Sequence, residues 1–358
     1  LGAYIVRRLL LIVPTIFVIL LVNFAVIQAV PGGPIERVLA ELKETGVAAT
    51  ARVSGGGSDV LSSGPSYRGR QGLEEEFIRE LEAQFGFDQP APERFWMMLR
   101  RYLVFDLGES YFRNETVMGL IWEKLPVSIS LGLWSTLFVY LISIPLGVAK
   151  AVRDGSRFDV WTSGVVIVGN AVPSFLFAIF LVVFFAGGRY LDWFPLAGLT
   201  SENWSDLSWP RRILDYFWHI TLPVTAMVIG AFASLTLLTK NSFLEEVHKQ
   251  YVMTARAKGL TERQVLYGHV FRNAMLIVIA GFPSAFIEVL FTSSLIIEVI
   301  FSLDGLGLLG FEAAVNRDYP VMLGTLYFFT LLGLLMNLAG DLAYVLVDPR
   351  IDFESRQV

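Results

Sequence analysis

The chain has 358 residues, 54% of them hydrophobic and 17% charged, with a net charge of -5 and a mean hydropathy of +0.58. That balance is too apolar for a water-soluble domain and leaves no basic footprint for nucleic acid. With no cysteine there is neither a disulfide framework nor a thiolate metal site, and His219, His248 and His269 fit no metal-ligand spacing.

Six apolar runs are long enough to cross a bilayer core of about 30 Å. The first, Leu9 to Val30, follows Arg7 and Arg8. Its apolar length of about 20 residues exceeds the core of a cleaved signal peptide, so an uncleaved first span (1–30) with a cytoplasmic N-terminus is expected. A long outer region, 31–124, comes next. Within it, residues 54–72 are rich in Ser and Gly and are expected to be flexible, Leu73 to Phe85 reads as an acidic helix, and Arg94 to Tyr102 as a helix lying in the membrane interface or packed on the bundle. The remaining runs are Leu125 to Val148, Trp161 to Gly187, Ile220 to Leu238, Met275 to Ile297 and Val321 to Val347. Continuous apolar runs without alternation can satisfy their backbone in lipid only as helices. An all-α polytopic membrane protein follows, with a five-span core at 125–347 and a tail at 348–358.

Charge placement orients it. Arg7, Arg8, Lys150, Arg153, Arg157, Lys240, Lys249, Arg256, Lys258, Arg263, Arg272, Arg350 and Arg356 fall on one side. Only Arg189, Arg211, Arg212 and Arg317 fall in the short loops of the other, among Asp192, Glu202, Asp206, Asp215, Glu298, Asp304, Glu312 and Asp318. The basic side is expected to be cytoplasmic, with both termini there.

Between the fourth and fifth spans, Tyr251 to Ala274 reads as helix, break and helix: Gly259 suits a helix C-terminus, and Thr261 with Gln264 has the form of a capping box. Such a folded loop suits a cytoplasmic partner, the alternative being an ordinary positive-inside loop. Polar residues within the spans are few. Glu288 precedes Thr292, Ser293 and Ser294, Asn337 shares a helical face with Asp341, and Asn170 precedes a kink at Pro173. Either a structural or a substrate-facing role would suit Glu288. No P-loop, zinc-protease motif or nucleophile elbow occurs, so no catalytic residue is assigned and the chain reads as driven rather than driving.

ARAKGL at Ala255 to Leu260 and HVFRNA at His269 to Ala274 resemble the cytoplasmic EAA loop of dipeptide/oligopeptide-type ABC importer permeases. Of the general EAA wording only Ala255 and Gly259 match well, and the departure resembles the peptide subfamily. RRLLLIVPT from Arg7, VPGGP from Val30, FGFDQP from Phe85, FDLGES from Phe105, FSLDGLGLLG from Phe301, RDYPVMLGTL from Arg317 and VDPRID from Val347 extend the likeness over the whole chain. SYRG at Ser66 and SRFDVW at Ser156 are similar to the Yej-type branch, which serves peptide and microcin C import.

The resemblance implies a type I ABC importer permease fold in a bacterial inner membrane, taking up oligopeptides, microcin C-like compounds or murein peptides. It implies a second homologous permease subunit, a cytoplasmic ATPase with two nucleotide-binding domains, and a periplasmic peptide-binding protein. ATP and Mg would be used by the ATPase, with no cofactor on this chain. Within a coupling loop at 240–274, Thr254, Ala255, Arg256, Ala257, Lys258, Gly259 and Leu260 would meet the ATPase. Asp304, Gly305, Leu306, Gly307, Arg317, Asp318 and Tyr319 would belong to an outer gate loop at 299–320. Asn170, Glu288, Thr292, Ser293 and Asn337 are the candidates for the path. The alternatives are a secondary transporter, which would favour repeated halves and intramembrane charge relays, and a membrane receptor.

Overall fold

The computed structural model describes residues 2–29, 89–188, 190–291 and 294–347. The expectations for 54–72 and for Leu73 to Phe85 lie outside the described residues. Among those described the protein is helical, with one isolated antiparallel bridge between Glu109 and Thr116. The helices are α1 (Gly2–Ala29), α2 (Ala91–Tyr102), α3 (Val117–Val152), α4 (Arg157–Ala171), α5 (Ser174–Phe185), α6 (Trp209–Val247), α7 (Gln250–Ala257), α8 (Glu262–Val265), α9 (Phe271–Phe291), α10 (Ser294–Ile300), α11 (Leu306–Asn316) and α12 (Tyr319–Val347). Five helices are long and apolar enough to cross a membrane, and α4 with α5 makes six if that bent pair is one span.

That pair corrects one expectation. Trp161 to Gly187 is not a kinked single helix, because its two halves meet at 89°. Val172, the residue before Pro173, takes an extended conformation (φ -92°, ψ 121°), since the proline ring disfavours the helical region for its predecessor. The helix therefore stops at Ala171 and restarts at Ser174.

Two helices exceed their apolar runs. α3 has 36 residues and α6 has 39, giving lengths of about 54 and 58 Å at 1.5 Å per residue, nearly twice the hydrocarbon core. Residues 240–247 are thus a continuation of α6 rather than loop. The segment 299–320, where a glycine-rich gate loop was expected, is also mostly helical, with α11 at its centre.

The chain divides into two compact units, the first comprising Leu1–Ile12, Glu123–Leu309 and Phe329–Val358, the second Val13–Trp122 and Gly310–Phe328. In the first unit α6 is the central strut, packing on α4, α5 and α9. One apolar core joins Leu131 and Val139 of α3 to Ala178 of α5, to Ile220 through Val228 of α6, and to Ile297, Phe301 and Leu303. A second core gathers Val148, Ala151 and Phe243 around Val252, Ala255, Val265, Val270 and Ala274. Asp341 of α12, four residues after Asn337 on the same helix, accepts from the Tyr4 hydroxyl at 2.8 Å and pairs with Arg8 at 2.8 Å. One of the bases that orient the chain is thereby engaged in a helix-to-helix contact.

In the second unit α2 is pinned by its aromatic face. Phe95, 8% exposed, lies 5.8 Å from Phe17 and 5.3 Å from Phe24 between ring centroids, and Tyr102 lies 5.2 Å from Tyr327. This helix packs against its neighbours through Phe95 and Tyr102, while Trp96 and Met97 stay exposed.

Candidate functional site

The second core of the first unit carries the segment expected to serve coupling. α7 turns Val252 and Ala255 inward, at 0% and 6% exposure, and Met253, Thr254, Arg256 and Ala257 outward. Lys258 and Gly259 follow at the exposed turn, and Leu260 is half-buried. Gly259 has φ +81°, a left-handed conformation that ends α7, and a Cβ there would meet nothing within 4 Å. Thr261 then starts α8 with both halves of the capping box present: its hydroxyl accepts from the Gln264 amide, and the Gln264 side chain accepts from the Thr261 amide at 2.9 Å. A bidentate pair, Arg256 Nε and Nη2 to Glu262 at 2.9 and 3.0 Å, closes the turn from outside. A π-helical turn, Leu266–Val270, joins α8 to α9 and presents Tyr267 and Gly268 to solvent. Thr261, Arg263, Gln264, Tyr267 and Gly268 line an open groove of ≈ 650 Å³.

The base of the segment is tied down by polar contacts. Glu246 accepts from the Tyr251 hydroxyl at 2.6 Å and pairs with Lys249, and Asn273 donates to the same hydroxyl at 3.2 Å. The Glu246 carboxylate holds the Lys249 ammonium above its ordinary pKa, while burial, then Glu246, raises that of Tyr251. Of the seven sequence-assigned coupling residues, Ala255 belongs to the core beneath the surface rather than to the surface. The exposed Met253, Tyr267 and Gly268 were not singled out by the sequence, since composition does not say which side of so short a helix faces the core. Thr261→Ala should remove the cap at a cost of about 1 kcal/mol. Hydrogen exchange of amides 262–266 should then be roughly fivefold faster, with the rest of the protein unchanged.

The residues expected to form the outer gate fall in the two units. In the first, Glu298, expected among the acids of the outer loops, is wholly buried. Its carboxylate accepts from Ser128 Oγ at 3.2 Å and the Leu308 amide at 2.7 Å, while Ser128 Oγ accepts from the Leu306 amide at 2.8 Å. These are first-turn N–H groups of α11, which have no intrahelical partner and favour a negative charge, so the acid is drawn inward by the helix it caps. Gly305 lies directly on it: a Cβ would sit 2.3 Å from Glu298 Oε1. Asp304 is exposed and pairs with Lys124, and Gly307 is half-buried.

In the second unit, Asp318 is 5% exposed and accepts from Ser110 Oγ and, at 3.2 Å, from the Tyr111 amide. Arg317 has φ +57° just before it, and Tyr319 opens α12. Arg113 pairs with Glu312 at 2.7 Å. The FDLGES stretch thus folds back on the residues that follow α11. Its own turn is held by Arg101, which keeps the Asp106 carboxyl below the usual carboxylate range.

Asn170 is exposed beside the α4–α5 break, Asn337 is half-buried on α12, and Glu288 lies on α9. Thr292 and Ser293 lie outside the described residues. Among the described residues no cluster of His, Cys, Asp and Glu could hold a metal.

Residues 143–353 match the family described as binding-protein-dependent transport system inner membrane component. The chain is 60% identical to a peptidoglycan transport system permease protein of Agrobacterium fabrum, with 100% of both chains covered. It is 58% identical to an inner membrane ABC transporter permease of Escherichia coli O157:H7, covering 99% of this chain and 100% of that one. An oligopeptide transport system permease of Bacillus subtilis is 31% identical over 98% of this chain and 100% of its own. Among solved structures, an inward-facing methionine ABC transporter matches with TM-score 0.50 at 18% identity, covering 64% of this chain and 97% of that one. At that identity the likeness speaks for the fold.

Proposed function

Since the chain belongs to the family of binding-protein-dependent transport system inner membrane components, it is a multi-pass permease subunit of an ABC importer of the inner membrane, and we propose that its cargo is peptides, those derived from peptidoglycan foremost. The observation that carries the cargo is the full-length likeness to a peptidoglycan permease, with oligopeptide permeases among the more distant relatives. Microcin C-like compounds, as peptide conjugates, fall in the same chemical class. ATP hydrolysis belongs to partner ATPase subunits and delivery to a binding protein. A second homologous permease would complete the pathway, and two nucleotide-binding domains would dock on the surface around Gly259. The charge distribution supports cytoplasmic placement of that surface and of both termini. In this reading ATP-driven closure of the two domains draws the coupling segments together, and the permease pair turns outward. The buried cap on α11 would then hold the outer gate in register.

The test is reconstitution of the complex in proteoliposomes with a tripeptide stem from peptidoglycan. Uptake should require ATP and the binding protein. Uptake by this chain alone, driven by an ion gradient, would instead make it a secondary carrier. Glu288→Gln examines the path itself. If the carboxylate faces passing cargo, an attraction strengthened by low dielectric is lost, and uptake of basic relative to neutral peptides should fall several-fold. Equal ratios in both proteins would leave Glu288 a structural residue.

A further inference from the structure

We propose that Asp159 is a positioning residue for energy coupling: it clamps α4 to the platform bearing the coupling segment, so that displacement of that segment carries the broken third span with it. The inference rests on the ATP-driven reading above.

Asp159 is 5% exposed and lies in the first turn of α4, whose N-cap Ser156 accepts from its amide at 3.3 Å. Two lysines from two other helices converge on its carboxylate. Lys150 of α3, 0% exposed, lies 2.9 Å from Oδ1 and also donates to the Asp159 carbonyl, Thr162 Oγ1 and Ser163 Oγ at 2.7 to 2.9 Å. Lys240 of α6 lies 2.8 Å from Oδ2 and 2.8 Å from Asp154. The Gly155 amide donates to Oδ2 at 3.2 Å. An ammonium with no exposure and four protein contacts is not a solvated positive-inside charge, although its sequence position reads as one.

The location gives the cluster its role. Lys150 lies between Val148 and Ala151, and Lys240 one turn before Phe243, and those three apolar residues are part of the core on which α7 and α8 rest. α3 and α6 are also in close contact here, a Cβ on Gly147 falling 2.6 Å from Thr239 Cβ. Ser242 Oγ donates to the Ala274 carbonyl at 2.7 Å, joining α6 to the start of α9. Platform and coupling segment therefore form one packed body. α4 has an exposed apolar face, including Val160, Trp161 and Val165, and the charged group among its buried polar links to the platform is Asp159, beside Thr162 and Ser163, which meet Lys150. Charged bonds at low dielectric resist separation, because parting them leaves charges buried and unpaired. The 89° break at Pro173 lies at the far end of the same helix, so a helix carried at its base would move the break.

Asp159→Asn tests the clamp in the reconstituted complex. The ATPase should still associate and hydrolyse ATP, while peptides imported per ATP should fall at least fivefold. Asp159→Glu, which keeps both ion pairs, should restore most of the ratio. If Asp159→Asn does not assemble, Lys240→Gln, which leaves the Lys150 pair intact, should lower the ratio at least twofold. The cysteine-free chain also accepts spin labels at Trp161→Cys on α4 and Ile277→Cys on α9, both exposed. Their separation should stay constant between nucleotide-free and ATP-bound complexes, and should change with ATP once Asp159→Asn is added. An unchanged import ratio in the assembled variant, or a label separation that already changes with ATP in the unmutated clamp, overturns the proposal. Absence of any ATP-driven uptake by the unmodified complex would instead remove the transport reading on which it rests.

Discussion

Gly305→Ala is expected to destabilise the permease by about 3 kcal/mol, because the added methyl group enters space already occupied by a buried carboxylate. The new Cβ would lie 2.3 Å from Glu298 Oε1, 2.4 Å from Cδ and 2.8 Å from Oε2. Glu298 cannot swing clear without leaving Ser128 and the Leu308 amide, and it has no exposure through which water could replace them. The Leu306 and Leu308 amides would lose the polar network that caps α11, and the outer segment would lose its register against α3. The measurements are thermal unfolding of the complex in nanodiscs and binding-protein-dependent uptake, both of which should drop. A double-mutant cycle isolates the cause. In a Glu298→Ala background, itself destabilised by loss of the cap, Gly305→Ala should cost less than half as much as it does alone. Additive costs would show that the collision is relieved by backbone movement and that the cap is not the origin.

Gly259→Val is expected to reduce peptide uptake at least tenfold while leaving the membrane-spanning bundle intact. Valine at φ +81° is a conformational outlier costing about 1–2 kcal/mol, and open space around the position means that no side-chain clash contributes. The chain relieves the strain by moving φ to negative values, which redirects α8 relative to α7 and breaks the Arg256–Glu262 bridge across the turn. ATPase association should weaken in a pull-down, with the unfolding temperature of the bundle little changed. Gly259→Asn is the matched control, because asparagine tolerates the left-handed region, and it should keep most of the uptake. Equal uptake by the valine variant and the unmodified protein would mean that docking does not depend on this turn.

The two predictions differ in how far each was visible in the residues. Gly259 with Thr261 and Gln264 is a local pattern, a helix end and a helix start within six residues, and the structure forms it with the expected geometry. Glu298 is the opposite case. Nothing in its neighbourhood separates it from the exposed Asp304, because its burial comes from Ser128, 170 residues earlier, and from amides of a helix that a glycine-rich stretch did not announce. Lys150 and Lys240 were read as charges marking a side of the membrane. Lys240 meets Asp159 across 81 residues, and that pairing appears only when α3, α4 and α6 converge.

By itself the sequence determined the membrane class, the helical character of its apolar runs and the capped turn between α7 and α8, because each depends on hydrophobic length, backbone preference or a cap within a short window. Its motif order likewise identified the importer permease family. Tertiary structure alone decided that Trp161 to Gly187 is a helix pair bent by 89°, that Ala255 lies beneath the outer face of α7, and which acids and lysines are buried. The physical reason is that burying a charge is tolerable only where its partners converge, and those partners lie on helices far apart in the chain.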